Sequence, residues 1–210
     1  MPTTITRIQK TRLGRFSLYG EEGFLFSLDS ETYFSCGVEE GDTLTDNDLA
    51  ALREKSDARK AKDKALQYLS LRLYGERELY DKLCLKFDGP TSAAAVAEMV
   101  RLELLDDARF AAQKAAWLKT RHKSRREAQR QLAEKGVDRN LIDEALDEVY
   151  GDGDEREEID RLIRRSYAAK LENGRRDAVY AALCRRGFAP RTVREALNDW
   201  ADAQQEGWAE

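Results

Sequence analysis

RREAQRQLAEKGVDRNLIDEALDEV (residues 125–149) decides the fold once RDAVYAALCRRGFAPRTVREALNDW (residues 176–200) is set beneath it. Leu132 falls on Leu183, Gly136 on Gly187, and Glu144-Ala145-Leu146 on Glu195-Ala196-Leu197, all at an offset of 51 residues. In each copy a glycine is followed by apolar positions spaced by three or four. Leu141, Ile142, Ala145, Leu146 and Val149 answer to Val193, Ala196, Leu197 and Trp200. That spacing places the apolar side chains on one face of a helix, and the glycine ends the helix before it. ERELYDKLCLKF is a weaker third copy, with Leu83 at the place of Leu132 and Phe87 where the glycine would stand. Units of roughly 50 residues are too small to bury a comfortable core alone and gain stability by stacking on neighbours.

Outward from these copies, Ala58, Ala61, Ala65, Leu69 and Leu73 share a helical face, as do Ile159, Leu162, Ile163 and Tyr167. Gly75, Gly89-Pro90, Gly136, Gly151, Gly153, Gly174 and Gly187 punctuate the runs. The expected fold is therefore mainly α: tandem three-helix repeats over residues 56–105, 106–151 and 152–204, forming an elongated array, with a tail at 205–210. Residues 1–55 differ. Phe16/Leu18 and Phe24/Phe26/Leu28 alternate around Gly20-Glu21-Glu22-Gly23, which predicts a small N-terminal β-hairpin, and TTITRIQ could add a third strand. Thr45, three residues before Asp48, predicts a capped short helix leading into the first repeat.

Asp106 and Asp107 open the first helix of the second repeat, where carboxylates accept hydrogen bonds from unpaired backbone N–H groups. Phe110, Ala111, Ala115, Trp117 and Leu118 are expected to form the buried face of that helix. The alternative, a carboxylate hydrolase using the two aspartates, requires a desolvating cleft or partner that no part of the sequence displays. The patterns GxxxxGK[ST], GxGxxG and GxSxG are absent. His122 is the single histidine, lies among cations and reads as surface polar, so histidine triads and two-histidine metal sites are excluded. No catalytic residue, metal ligand or cofactor is assigned. The three cysteines, Cys36, Cys84 and Cys184, lack a CxxC and read as reduced packing residues. No apolar run suits a membrane span or signal peptide, so a cytoplasmic protein is expected. No heptad seam is sustained, and a monomer is expected.

The net charge of −4 conceals strong segregation. Residues 138–160 carry −9, and YGDGDEREEID reads as a flexible acidic linker rather than a calcium loop. Residues 119–130 carry +5 and residues 161–194 carry +8. Clustered arginines can neutralise phosphates or pair with carboxylates of a protein partner. On charge and repeat position, the expected contact set is Lys119, Arg121, Arg125, Arg126 and Arg130, then Arg175, Arg176, Arg185 and Arg186.

ALQYLSLRLYGERELYDKL, followed by LLDDARFA and RREAQRQLAEKGVDRNLIDEAL, closely resembles the RecX family of bacterial recombination regulators over about residues 58–200. The match includes Arg72, Glu78, Leu79 and Leu83, then Asp106, Asp107, Phe110 and Ala111, then Leu132, Lys135 and Gly136. The serine often found before the Glu-Leu pair is replaced near Gly75, and Lys123 or Ser124 stands where a glycine usually precedes the middle helix of the second unit. The resemblance implies a non-enzymatic regulator that binds the RecA filament on single-stranded DNA, lies in its groove, and inhibits filament growth, ATP hydrolysis, strand exchange and the SOS co-protease role. A second reading, independent of RecA, is a helical array that binds nucleic acid directly.

Overall fold

The computed structural model describes residues 2–151, 153 and 155–206. The chain divides into two compact units, residues 1–106 and 107–210. Asp152 and Asp154 of the acidic linker and residues 207–210 of the tail lie outside the described residues.

In the first unit the alternating segment forms the expected hairpin, β3 (Phe16–Gly20) against β4 (Gly23–Leu28). TTITRIQ contributes two pieces, β1 (Thr3–Thr4) and β2 (Arg7–Lys10), and only β2 joins the hairpin. β1 pairs instead with β5 (Thr43–Leu44). Ile5, Leu18, Phe26, Leu28 and Val38 fill a small core, whereas Phe24, expected on the same apolar face, is largely exposed. Between the strands lies α1 (Ser30–Cys36), started by Asp29, whose carboxylate accepts from Thr32 N at 3.0 Å, and ended by Gly37 at φ +62°.

Thr45 caps α2 (Asp46–Leu69) as its spacing predicts: its hydroxyl accepts from Asp48 N at 3.2 Å and its N–H donates to Asp48 Oδ2 at 2.9 Å. This helix runs without a break through residue 56, so the short leading helix and the first helix of repeat 1 are one element. Its N-terminal half covers the sheet. Ser56, fully buried, donates to Ser27 O at 3.0 Å, and Arg15 Nη2 donates to Ser27 O at 2.8 Å. Its C-terminal half places Ala61 and Ala65 against Leu79 and Leu83 of α3 (Glu76–Cys84) and Met99 of α4 (Gly89–Arg101); Ala58, expected on that face, is exposed.

The second unit comprises α5 (Asp107–Thr120), α6 (Arg125–Glu134), α7 (Arg139–Tyr150), α8 (Glu155–Leu162), a π-helical turn (Ile163–Tyr167) continuing into α9 (Ala168–Glu172), α10 (Arg176–Arg185) and α11 (Pro190–Glu206). The 51-residue offset holds in the core. Leu132 and Leu183, Val137 and Phe188, Ile142 and Val193, and Leu146 and Leu197 are all buried. Burial of each such side chain stabilises the unit by roughly 1.5–3 kcal/mol. None of the described helices is long and apolar enough to cross a membrane.

Candidate partner-binding surface

The nine cations singled out by charge fall into two groups once their partners are known. Arg125 Nη2 lies 2.5 Å from Asp147 Oδ1, joining the first turn of α6 to α7. Arg176, 51 positions on, makes the corresponding bond from α10 to Asn198 of α11. Both arginines thus tie a middle helix to the helix that follows. Arg130 pairs within α6 with Glu127, at 2.8 Å, and Glu134. Those contacts hold the Glu127 carboxyl down at about 2, below its ordinary 4.5, chiefly through the Arg130 hydrogen bonds. Lys119 donates to Val149 O at the end of α7, where an unpaired carbonyl and the negative helix end favour a cation.

Arg186 is a link inside the unit. Its Nη1 donates to Arg121 O at 3.0 Å, while Lys123 Nζ donates to Arg185 O at 3.0 Å and Ser124 N to Arg186 O at 2.9 Å. The turn after α10 thereby sits on the start of α6. Gly187 makes this approach possible: a Cβ there would come within 2.3 Å of Glu127 Cβ and 2.7 Å of Ser124 Oγ, and its φ is +94°. Ser124, standing where a glycine is usual in the family pattern, caps α6 by accepting from Glu127 N at 3.2 Å.

Arg126, Arg175 and Arg185 are exposed and, among the described residues, pair with no carboxylate. Arg121 has none either and lies over the Trp117 ring, 5.3 Å from its centroid. The free part of the expected contact set is therefore Arg121, Arg126, Arg175 and Arg185. Charge counting placed Arg161, Arg164 and Arg165 in the basic segment without singling them out; they are exposed along α8 and the π-helical turn. Arg161 borders a cleft of about 490 Å³ shared with Arg126, Glu157 and Glu158, and flanked by Tyr150. Burial, together with the nearby Glu158 charge, pushes the Tyr150 hydroxyl up to about 12.

The acidic segment is partly taken up by the fold. Asp138 caps α7 through Asn140 N at 2.8 Å, and Glu155 accepts from Ala189 N at 3.1 Å before α11. Asp106 immediately precedes α5 and Asp107 is its first residue, at the positive end of the helix. No group of three or more His, Cys, Asp or Glu side chains among the described residues could hold a metal. His122 adopts φ +52° at the end of α5, where Lys123 N bonds back to Leu118 O at 3.1 Å, so it serves as the left-handed residue closing a helix. Trp117 departs from expectation: Phe110, Ala111, Ala115 and Leu118 are buried, but Trp117 is 48% exposed. Cys84 is likewise exposed rather than packed.

The residues of the family pattern are largely structural. Leu79, Leu83, Phe110, Ala111 and Leu132 are buried, and Arg72 bonds Glu78 at 2.8 Å while its guanidinium lies 3.6 Å from the Tyr74 ring centroid. Fold and surface together define a tandem three-helix-repeat protein with exposed cationic faces. The family models for the first and second three-helix domains of RecX match residues 61–99 and 106–146. The regulatory protein RecX of Caldanaerobacter subterraneus subsp. tengcongensis is 27% identical over 198 residues, covering 92% of this chain and 98% of that one. That of Staphylococcus aureus (strain JH9) is 26% identical over 210 residues, covering 97% and 76%. A crystal structure of regulatory protein RecX shares the fold with a TM-score of 0.60 at 22% identity, covering 94% of this chain and 99% of that one. RecX from Lactobacillus salivarius gives 0.51 at 21% identity, covering 68% and 96%. Over both matched domains and over most of its length, the chain is similar to regulatory proteins of the RecX family.

Proposed function

We propose that this protein is a negative regulator of the RecA recombinase, binding in the groove of the RecA–DNA filament and inhibiting filament growth, ATP hydrolysis, strand exchange and the SOS co-protease role. The observation that carries this reading is similarity to a family of regulatory proteins, joined to exposed arginines without a carboxylate partner, among the described residues, on two successive repeats of one unit. Regulation by binding suits a chain whose family-pattern residues serve its core. Arg121, Arg126, Arg175 and Arg185 are the cations of the set available to acidic protein or phosphate, since Arg125 and Arg176 tie helices within their repeats, Arg130 pairs within α6 and Arg186 joins one repeat to the next. Several weak contacts on linked repeats add up through effective concentration.

The test is the DNA-dependent ATPase of preformed RecA filaments, titrated with the full chain. Inhibition at substoichiometric protein is expected, and it should be lost when Arg126, Arg175 and Arg185 are changed together to Glu with the melting temperature unchanged. Absence of inhibition by the unaltered chain with its cognate RecA would overturn the reading. Direct binding to nucleic acid without RecA is the second reading. It is favoured by residues 108–126, which hold seven Lys or Arg and no Asp or Glu.

A further inference from the structure

Trp117 stands in the middle of that acid-free segment. Phe110, Ala111, Ala115 and Leu118 already supply the buried face of α5, so the indole is not needed to complete the core and is left 48% exposed. It is bracketed by cations on its own helix: Lys114 Nζ lies 4.3 Å from the ring centroid and the Arg121 guanidinium carbon 5.3 Å. Gln113, Ala116 and Thr120, its other neighbours on the exposed side of α5, are short or uncharged and exposed. A large aromatic surface is thus held on a rigid helix, with positive charge on either side along the chain.

We infer that Trp117 is a stacking platform for an unpaired base of single-stranded nucleic acid, with Arg121 placed to meet a flanking phosphate. Two features select this occupant. Arg121, which pairs with no carboxylate among the described residues and lies against the indole, matches a partner that carries phosphate beside an aromatic face. An exposed indole adds a face on which any base can stack, which suits a strand whose bases are unpaired and whose sequence is not read. Cations already lying over the ring do not block this. An exposed cation–aromatic contact is weak, and a guanidinium released from the indole is free to move to phosphate. The inference rests on the reading that single-stranded DNA is among the partners, and it gives one residue a role there that charge counting alone does not reveal.

The test is fluorescence anisotropy of a labelled oligothymidylate with the full chain and no recombinase, alongside the filament ATPase assay. Replacing Trp117 by Ala should weaken oligothymidylate binding roughly tenfold or more, and W117F should recover most of the loss. Because stacking involves no counterion, W117A should leave the salt dependence of binding unchanged, while Arg121→Gln should lower the log–log slope by about 1. A duplex of equal length should bind more weakly than the single strand and be insensitive to W117A. Equal affinity of W117A and the unaltered chain, equal sensitivity of duplex and single strand, or no oligothymidylate binding at all would each overturn the platform. Loss of ATPase inhibition in W117A with undiminished oligothymidylate binding would also overturn it, assigning Trp117 to a protein contact and leaving the regulator reading in place. Unchanged melting temperature shows that these effects are not unfolding.

Discussion

Helices α6 and α10 occupy the same place in successive repeats, yet they are held and exposed differently. Each buries a leucine at the same position, Leu132 and Leu183, and each sends its first arginine to the following helix, Arg125 to Asp147 and Arg176 to Asn198. Their starts diverge. Ser124 caps α6 with its side chain, whereas Arg175 stands at the start of α10 with no side-chain cap and remains exposed. Their ends diverge as well: Gly187 is pressed against Ser124 and Glu127, and the turn containing it completes the start of α6. The shared leucines and first arginines serve each repeat's own fold, whereas the helix starts and the seating of the Gly187 turn set the two repeats apart.

If that comparison is right, Leu132→Ala and Leu183→Ala should each cost about 2–5 kcal/mol, measured by thermal or urea unfolding of the full chain. Insensitivity at either position would break the equivalence of the two cores. The glycines should not be equivalent. Gly136→Ala should cost about 1 kcal/mol for its positive φ, while Gly187→Ala should cost roughly 2–4 kcal/mol because the new methyl also meets Ser124 and Glu127. Equal losses would show that the turn after α10 does not seat on α6. At the helix starts, Ser124→Ala should cost about 1 kcal/mol, and R175S should stabilise by a similar amount by supplying α10 with the cap it lacks.

The smallest effect concerns Glu127, whose counterpart in the third repeat is Ala178. Its carboxyl titrates at about 2 in the folded chain, below the ordinary 4.5, mainly because Arg130 donates to it. The unfolded state therefore takes up this proton at higher pH than the folded state does. The resulting stabilisation is complete above about pH 4.5 and is lost as the pH falls toward 2. Glu127→Gln should flatten stability against pH in that window and leave the slope near neutrality unchanged. An unaltered acid limb would show that Arg130 gives the carboxylate nothing beyond what water does.

Much of the fold was legible because it depends on spacing along the chain. Repeating leucines, the Thr45–Asp48 cap and the alternation around Gly20 and Gly23 are local patterns, and helices, caps and hairpins are local structures. The candidate surface was less legible. Charge density pointed to α6 and α10, but which arginines are free depends on acceptors distant in sequence: Asp147 lies 22 residues from Arg125, and Arg121 O lies 65 from Arg186. One signal was available in the sequence. Applying the 51-residue offset to Arg125 and Asp147 leads to Arg176 and Asn198, a correspondence that marks a structural tie. Trp117 could not be placed by periodicity, since it neighbours Leu118 at the edge of the apolar stripe and a small rotation of the helix moves it from core to solvent.

By itself, the sequence determined the three-helix repeats, their period and the strong charge segregation, because hydrophobic burial along a helix is dictated by residues three and four apart. Only the tertiary structure decided which cations are struts and which are free, that α2 joins the sheet to the first repeat, and that Trp117 faces solvent. The physical reason is that an ion pair, a helix's rotation about its axis and the seating of a glycine turn each depend on a neighbour brought close by packing. The chain's own periodicity does not specify where that neighbour will lie.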